Sequence, residues 1–459
     1  MDVKLKLKAF HPGVFHAYDV RGLWPEELDH NTLELITLGF KEYISRHSSS
    51  NLFLLGQDVR GSSSEILEEV KEVLLSRGAD IIEVGTVTTP MFTFAMAQSQ
   101  AAGGLMVTAS HNSIRYNGLK IYEGTHALSE TSGLNAIRHI IEEGLSSYGG
   151  PRGSFQKKDF LEAYRDFLVS KIKLPRRIKV VFDTGGGAVG VILPEVLGGL
   201  KMLEPNPLSL NLDSTLSLRE PNPLLPSAQK NARQTLLAKK AEAGFIFDPD
   251  GDRVVVLDEK GETLRGDSVL WLLVSFAAGH GESVVYDIRS SHALREDLEE
   301  RGIRGVPSRV GHSFIKDTMR DSDAVMGGEL SGHFFFRDFF FAESALLTAL
   351  KIIEIIASSK RPLSELIQPY LRYFHSGEIN FAASDKTAIL RAAEEKYRDG
   401  HKNYLDGLTV EYPFWWFNLR PSQTENLLRL VFEAKDKKTF DAKKEELSKL
   451  LMQLGASPA

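Results

Sequence analysis

Cysteine is absent from this chain. That excludes disulfide frameworks, thiolate zinc sites, cysteine nucleophiles and thiol redox pairs, and it fits a reducing compartment. Long apolar runs are missing as well. The two most apolar stretches, Trp271 to Ala278 and Ala345 to Ala357, are too short or are interrupted by Lys351 and Glu354, so neither predicts a membrane span. Near the start, Val3, Leu5 and Leu7 alternate with Lys4, Lys6 and Lys8, and no continuous apolar block follows. The alternation predicts a half-buried strand and argues against a signal peptide. Neither sign of charge dominates: 55 Lys and Arg against 61 Asp and Glu leave a net charge of −6. Bulk attraction to nucleic acid or anionic lipid is therefore not expected. A soluble, cytoplasmic protein is. What is present is ordinary for a globular chain: 459 residues, 42% hydrophobic and 25% charged. That length predicts about two to four domains.

One pattern recurs. A short apolar run ends near an aspartate, a polar or Gly-rich turn follows, and a helical period begins after it. The instances are Leu52–Leu55 reaching Asp58, Val180–Phe182 reaching Asp183, Phe245–Phe247 reaching Asp248, and Val284–Tyr286 reaching Asp287. Such runs suit strands covered on both faces of a parallel sheet. Aspartates just past them would sit at the carboxyl edge, where open α/β folds place ligands. Four repeats favour that reading over simple helix caps. Ser62 with Glu65 predicts a capping box opening a helix that carries Ile66, Leu67, Val70, Val73 and Leu74 and stops near Gly78. Ala345–Ile356 and Phe440–Leu454 predict further helices, and Tyr412–Phe417 and Leu427–Phe432 predict strands. Joints are expected at 149–153, around 258–261 and over 362–373. They give domains at 1–152, 153–257, 258–368 and 369–459, the first three α/β and the last a smaller α+β domain.

Four segments carry chemistry. In Gly103–Asn112, closing with Tyr116–Lys120, Ser110 follows an apolar run with His111 beside it; a serine nucleophile there needs activation, and the pair also suits a hydrogen-bonded turn. Asp248, Asp250 and Asp252 alternate on a tight turn with Arg253 next. Three such carboxylates repel unless a cation sits among them, and hard oxygen ligands suit Mg²⁺ or Ca²⁺. A calcium loop fails because Arg253 stands where that loop needs glycine. A phosphatase of the haloacid-dehalogenase type, with Asp248 as nucleophile, has Thr or Val where Asp252 stands. In Gly327–His333, the residues Glu329, Ser331 and His333 offer the donors and acceptors that sugar hydroxyls require, on a segment that also reads as a Gly-rich hairpin. In Arg420–Glu425, with Arg429 downstream, a guanidinium and two hydroxyls suit a phosphate; an exposed polar loop is the alternative.

Together these segments resemble the α-D-phosphohexomutase family, in its phosphomannomutase/phosphoglucomutase branch. The resemblance runs from Tyr18–Gly22 to the C-terminus with the four loops in family order. Gly56–Arg60, Pro221–Pro223 and Gly311–Lys316 add to it. It implies three α/β domains with mixed or parallel sheets plus a smaller C-terminal α+β domain, in a heart-shaped four-domain arrangement. In the resemblance, 1–152 carries the phosphoserine loop, 153–257 the metal loop, 258–368 the sugar loop and 369–459 the phosphate loop. The implied activity interconverts hexose 6-phosphate and hexose 1-phosphate, of mannose or glucose, through a phosphoserine and a hexose 1,6-bisphosphate. Ser110 would carry the phosphoryl group, with Mg²⁺ held by Asp248, Asp250, Asp252 and a phosphate oxygen on Ser110. Lys120 would act as general acid or base, among Arg21, His111 and His333. Arg253, Arg289, His312, Glu329, Ser331, Arg420, Ser422, Thr424 and Arg429 would bind substrate. The partners implied are small hexose phosphates, with no nucleic acid or membrane, on a monomer or a dimer.

The chain departs from the family pattern at Ser113, where Pro is usual, at Arg289, where Lys is frequent, at Gln423 and Asn426 in the phosphate loop, and at Glu343–Ser344, where an Asp pair is common. None removes a proposed catalytic group. The Glu-Leu-Ser-Gly form at 329–332 looks closer to the mannose/glucose branch than to phosphoglucosamine mutases. A phosphoglucosamine mutase, a metal-dependent sugar phosphatase and a non-enzymatic sugar-phosphate sensor are the alternatives.

Overall fold

The computed structural model describes residues 10–422 and 426–459. The strand expected over Val3–Leu7 and the phosphate-loop residues Gln423 and Thr424 lie outside them. Two compact units form: residues up to Arg265 with Ser331–Ser364, and Gly266–Leu330 with Glu365–Ala459. Among the described residues, no helix is long and apolar enough to cross a membrane.

The first unit holds two sheets. In the first, the strands run in the order Val20–Leu23, Tyr116–Glu123, Gly103–Val107, Leu52–Gln57, Asp80–Thr86, Phe155–Lys157. The last four are parallel, and the first two are antiparallel additions. From Leu52–Gln57 the chain goes to one side through helix Ser63–Ser76, then crosses to the other through helix Thr89–Ser99. That reversal makes the carboxyl ends of Leu52–Gln57 and Gly103–Val107 a topological switch point, the place where open α/β sheets hold ligands. The second sheet repeats the plan: Ile178–Asp183 is central, with Leu203–Leu208 on one side and Ala243–Phe247 on the other, all parallel. Val254–Leu257 returns antiparallel beyond it. The hairpin Phe334–Phe336 with Ala342–Glu343 also belongs to this unit, and helix Ala345–Ser359 packs on Ala243–Phe247 and Val254–Leu257.

In the second unit the plan appears a third time. Ser283–Asp287 lies between Arg304–Ser308 and Met326–Gly328, again parallel. Its C-terminal part is an antiparallel sheet in the order His401–Asn403, Leu408–Tyr412, Trp415–Pro421, Leu427–Ala434, Ile379–Ala382, Ser457–Pro458. Helices Lys386–Lys396 and Lys437–Gln453 cover a core that includes Phe417, Leu419, Leu430 and Phe432. Each such apolar side chain, fully buried, contributes about 1.5–3 kcal/mol.

Three expectations need correction. Helix Ser63–Ser76 forms on the expected apolar stripe and gives way to Gly78 at φ +74°, yet it has no capping box. The Ser62 hydroxyl instead accepts from Asn117 Nδ2, which ties the helix start to the neighbouring strand. The aromatic run Tyr412–Phe417 is not one strand. Pro413, which has no N–H for a ladder, and Phe414 turn the chain, and Tyr412 and Trp415 face each other with rings stacked 4.9 Å apart. The last helix starts a turn early, at Lys437, because Asp436 caps it through the Thr439 N–H.

The four aspartates do lie at carboxyl edges, but three of them shape turns. Asp58, Asp183 and Asp287 each accept the N–H two residues on, from Arg60, Gly185 and Arg289, and each pairs with an arginine: Arg60, Arg219 and Arg289. Only Asp248 joins a carboxylate cluster among the described residues.

Candidate active site

Ser110 stands just past Gly103–Val107, at the switch point of the first sheet. It is buried and has φ +49°, a left-handed conformation unfavourable for a residue with a Cβ. Its hydroxyl donates to Asp248 Oδ2 at 3.0 Å, and His111 Nδ1 lies 3.2 Å from it. Arg21 donates to Asn112 Oδ1 of the same loop and pairs with Asp19.

Asp248, Asp250 and Asp252 occupy the turn between Ala243–Phe247 and Val254–Leu257. A Cβ on Gly251, at φ +69°, would meet Val189 and Thr88 at 2.6 and 2.9 Å, so only glycine lets the turn close. Asp248 Oδ1 accepts the N–H groups of Asp252 and Arg253. Lys120 donates to Asp250 Oδ2 at 2.7 Å and to Asp252, and Thr89 donates to Asp250 Oδ2 at 2.7 Å. His333 Nε2 lies 3.3 Å from Asp252 and 3.2 Å from Arg253 Nε, with Ser331 Oγ 3.0 Å from its Nδ1.

Charge is unevenly matched here. Burial, with the neighbouring charges of Asp252 and Asp250, pushes Asp248 well above the usual carboxylate range. Burial would raise Asp252 too, but Lys120, His333 and Arg253 hold it well below that range. Burial opposes the charge on Lys120, yet Asp250 and Asp252 outweigh it and keep the ammonium well above its ordinary value. Burial, then Arg253 and Arg21, drive the His111 imidazole well below its ordinary value. One oxygen from each of the three aspartates lies within 4.8 Å of the others, and Asp250 Oδ1 is buried without a hydrogen-bond partner among the described residues. A hard divalent cation fits this set: it would satisfy that oxygen and relieve the repulsion at Asp248.

A second constellation lies wholly inside the other unit. Arg289 grips Asp287 through Nε and Nη2, at 3.1 and 2.7 Å, and reaches Glu378 Oε2 with Nη1 at 2.8 Å. Arg420 donates to the same oxygen at 2.9 Å, and Arg429 pairs with Glu378 Oε1 at 3.0 Å. Arg420 and Arg429 are register partners on adjacent strands, which sets their side chains on one face. Burial would raise the Glu378 carboxyl, but Arg289, Arg420 and Arg429 bring it down to about 2. Arg420 is buried, and its Nε has no hydrogen-bond partner among the described residues. Buried Glu329 accepts the Gly311 N–H at 2.7 Å, just before His312 opens helix His312–Ser322. Ser422 lies past the end of Trp415–Pro421, its N–H on Leu427 O.

The structure thus gathers Ser110, His111, Lys120, Arg21, Asp248, Asp250, Asp252, Arg253, Ser331 and His333 in one unit, and Arg289, Arg420 and Arg429 in the other. Glu329 belongs to the second unit and Ser331 to the first. Sequence reasoning missed Glu378, which no local motif marks. Asp58 is expected at a carboxyl edge but Arg60 is given no role from the sequence, although the spacing Asp-x-Arg recurs at Asp287 and Arg289.

Three repeats of a parallel 2-1-3 sheet, a buried serine on a carboxylate cluster and a set of converging arginines define an α/β phosphoryl-transfer type of protein. The chain matches the four phosphoglucomutase/phosphomannomutase models: α/β/α domain I over 12–147, domain II over 158–261, domain III over 265–373 and the C-terminal domain over 378–450. It is 33% identical to a phosphomannomutase of Methanocaldococcus jannaschii, covering 97% of this chain and 98% of that protein. It is 32% identical to a phosphomannomutase of Salmonella typhimurium, covering 96% and 99%. The solved structure of a phosphoglucomutase/phosphomannomutase family protein from Burkholderia thailandensis matches with a TM-score of 0.88 and 27% identity, over 98% of this chain and all of that one. The chain belongs to the α-D-phosphohexomutase, or phosphoglucomutase/phosphomannomutase, family. It is an enzyme of that family, with a place in carbohydrate metabolism.

Proposed function

We propose that the protein is a reversible mutase interconverting the 6- and 1-phosphates of mannose or glucose through a phosphoserine on Ser110 and a hexose 1,6-bisphosphate. The observation that carries this reading is the 3.0 Å contact between Ser110 Oγ and Asp248 inside a buried carboxylate cluster. A phosphate there would add a dianion to three carboxylates, an arrangement that only a cation and the nearby positive side chains make tenable. Magnesium held by Asp248, Asp250, Asp252 and Ser110 would neutralise charge on the transferring group.

In the first half-reaction, the free hydroxyl of a bound hexose phosphate attacks phosphorus. The bond from phosphorus to Ser110 Oγ breaks; on the family resemblance we assign Lys120, an ammonium beside Asp250 and Asp252, as the acid that gives its proton to the leaving Ser110 Oγ, and the amine so formed takes the hydroxyl proton. The bisphosphate then reorients, and its other phosphoryl group returns to Ser110. Arg21, Arg253, His111 and His333 surround the transferring group, where positive charge and donors act on charge that develops in the transition state. Arg289, Arg420 and Arg429, with His312, Ser422 and Thr424, hold the phosphate that is not reacting, and Glu329 and Ser331 hold sugar hydroxyls. Mannose is supported by the phosphomannomutase relatives, and glucose stands beside it on the family resemblance. A coupled assay with a trace of glucose 1,6-bisphosphate tests the reading. Isomerisation of mannose or glucose phosphates supports it; release of inorganic phosphate alone, or no turnover, retires it.

A further inference from the structure

We propose that Arg60 is a positioning residue that holds the Ser110 loop in its reactive shape, an inference resting on the phosphoserine reading above. The Arg60 side chain is wholly buried. A guanidinium carries five N–H donors in a fixed planar fork, and all five are used here. Nε donates to Asp58 Oδ2. Nη1 donates to the carbonyls of Ser113 and Tyr116, at 2.8 and 3.0 Å. Nη2 donates to the carbonyls of Ser110 and Asn112, both at 2.7 Å. Four carbonyls of one loop therefore turn toward a single cation.

The amide side of Ser110 is fixed by the same pair. Its N–H donates to Thr108 Oγ1, and the Thr108 hydroxyl donates to Asp58 Oδ2. Asp58 Oδ1 is taken by the Arg60 N–H and the Ser63 hydroxyl, so its orientation is set as well. Peptide groups on both sides of Ser110 are thus clamped, and its side chain is left to face Asp248. The left-handed backbone at Ser110 is unfavourable in isolation for a residue with a Cβ. Hydrogen bonds to a charged donor are each strong enough to hold it. The switch point explains why Asp58 and Arg60 do this: Asp58 follows the strand directly beside the one that leads to Ser110, and its N–H bonds to Val107 O.

Arg60 touches no reacting atom in this scheme. It acts through the position of Ser110 Oγ, and in-line transfer is steep in position: a misplacement of about 1 Å can cost about a hundredfold in rate. Arg60→Lys keeps the charge but has one nitrogen, which cannot serve four carbonyls and Asp58 together. In the full-length enzyme with Mg²⁺ and glucose 1,6-bisphosphate, we expect its kcat to fall about a hundredfold with KM within about threefold. Phosphorylation of Ser110 by the bisphosphate, followed by intact mass in a single turnover, should slow by the same factor. A normal kcat in the folded Lys variant would overturn the proposal, and so would a loss no larger than the drop in folded fraction. If that variant does not fold, Thr108→Val decides. It removes only the hydroxyl linking Ser110 to Asp58, so a lower kcat at constant KM supports the clamp and an unchanged kcat overturns it. The parent reading fails separately: active wild-type enzyme that never carries phosphate on Ser110 removes the phosphoserine, whereas a phosphorylated Ser110 with full-rate variants removes only the clamp.

Discussion

Arg289 and Arg420 meet on a single oxygen of Glu378, at 2.8 and 2.9 Å, although they lie far apart in the chain. Arg429 takes the other oxygen. One carboxylate thus keeps three guanidiniums convergent that would otherwise repel.

Replacing Glu378 by Gln should therefore destabilise the second unit by about 2 kcal/mol at pH 7. The Glu378 carboxyl is lowered to about 2 in the folded protein by the three arginines. Its contribution is full above the unfolded value of about 4.3 and fades as pH falls toward 2. The melting-temperature gap between wild type and Glu378→Gln should hold steady above about pH 5 and narrow below it. A gap that stays constant down to pH 3 would show that the carboxylate charge is not what matters.

Ser110→Ala should abolish turnover while sugar-phosphate binding survives. Mass spectrometry of the wild type should place an acid-stable phosphate on Ser110. Phosphate elsewhere, together with an active Ala variant, would remove the mechanism.

Activity should require Mg²⁺, and Asp250→Ala should lower kcat more than it raises KM. Neutralising charge on the transferring group matters most in the transition state. Ca²⁺ should bind but support little turnover, because its looser geometry positions oxygens less strictly. Full activity in excess chelator would contradict this role for the cluster.

Arg420→Ala should weaken affinity for substrate in both reaction directions, because the phosphate that is not reacting must be held whichever end faces Ser110. Loss of charge-assisted hydrogen bonds should cost roughly two decades in kcat/KM, and Lys should recover only part of that. Arg420 is also buried against Glu378, so melting temperature must be measured on the same variant. A lower melting temperature with unchanged KM in both directions would assign it to bracing alone.

Much of this was legible in the chain itself. The central strands were visible because strands buried on both faces need unbroken apolar runs, as at Val180–Phe182 and Phe245–Phe247. The carboxylate turn was visible because three alternating aspartates beside a glycine require a cation or its equivalent. Helix Ala345–Ser359 followed its apolar stripe. Local competition hid the rest: the Ser62 hydroxyl oxygen accepts from Asn117 Nδ2 rather than from its own helix, and Pro413 broke an aromatic run whose composition reads as one strand.

By itself, then, the sequence determined the parts whose cause is local: strand and helix periodicity, the Asp248–Asp252 turn, and the serine and arginine loops whose order marks the family. Only the tertiary structure decided which charges meet. Lys120 comes between Asp250 and Asp252, Arg60 under the Ser110 loop, and Glu378 among three arginines, because sheet order and register bring distant segments together. Hydrogen bonds and ion pairs act over a few ångströms of space, and chain separation carries no information about that distance once strands cross.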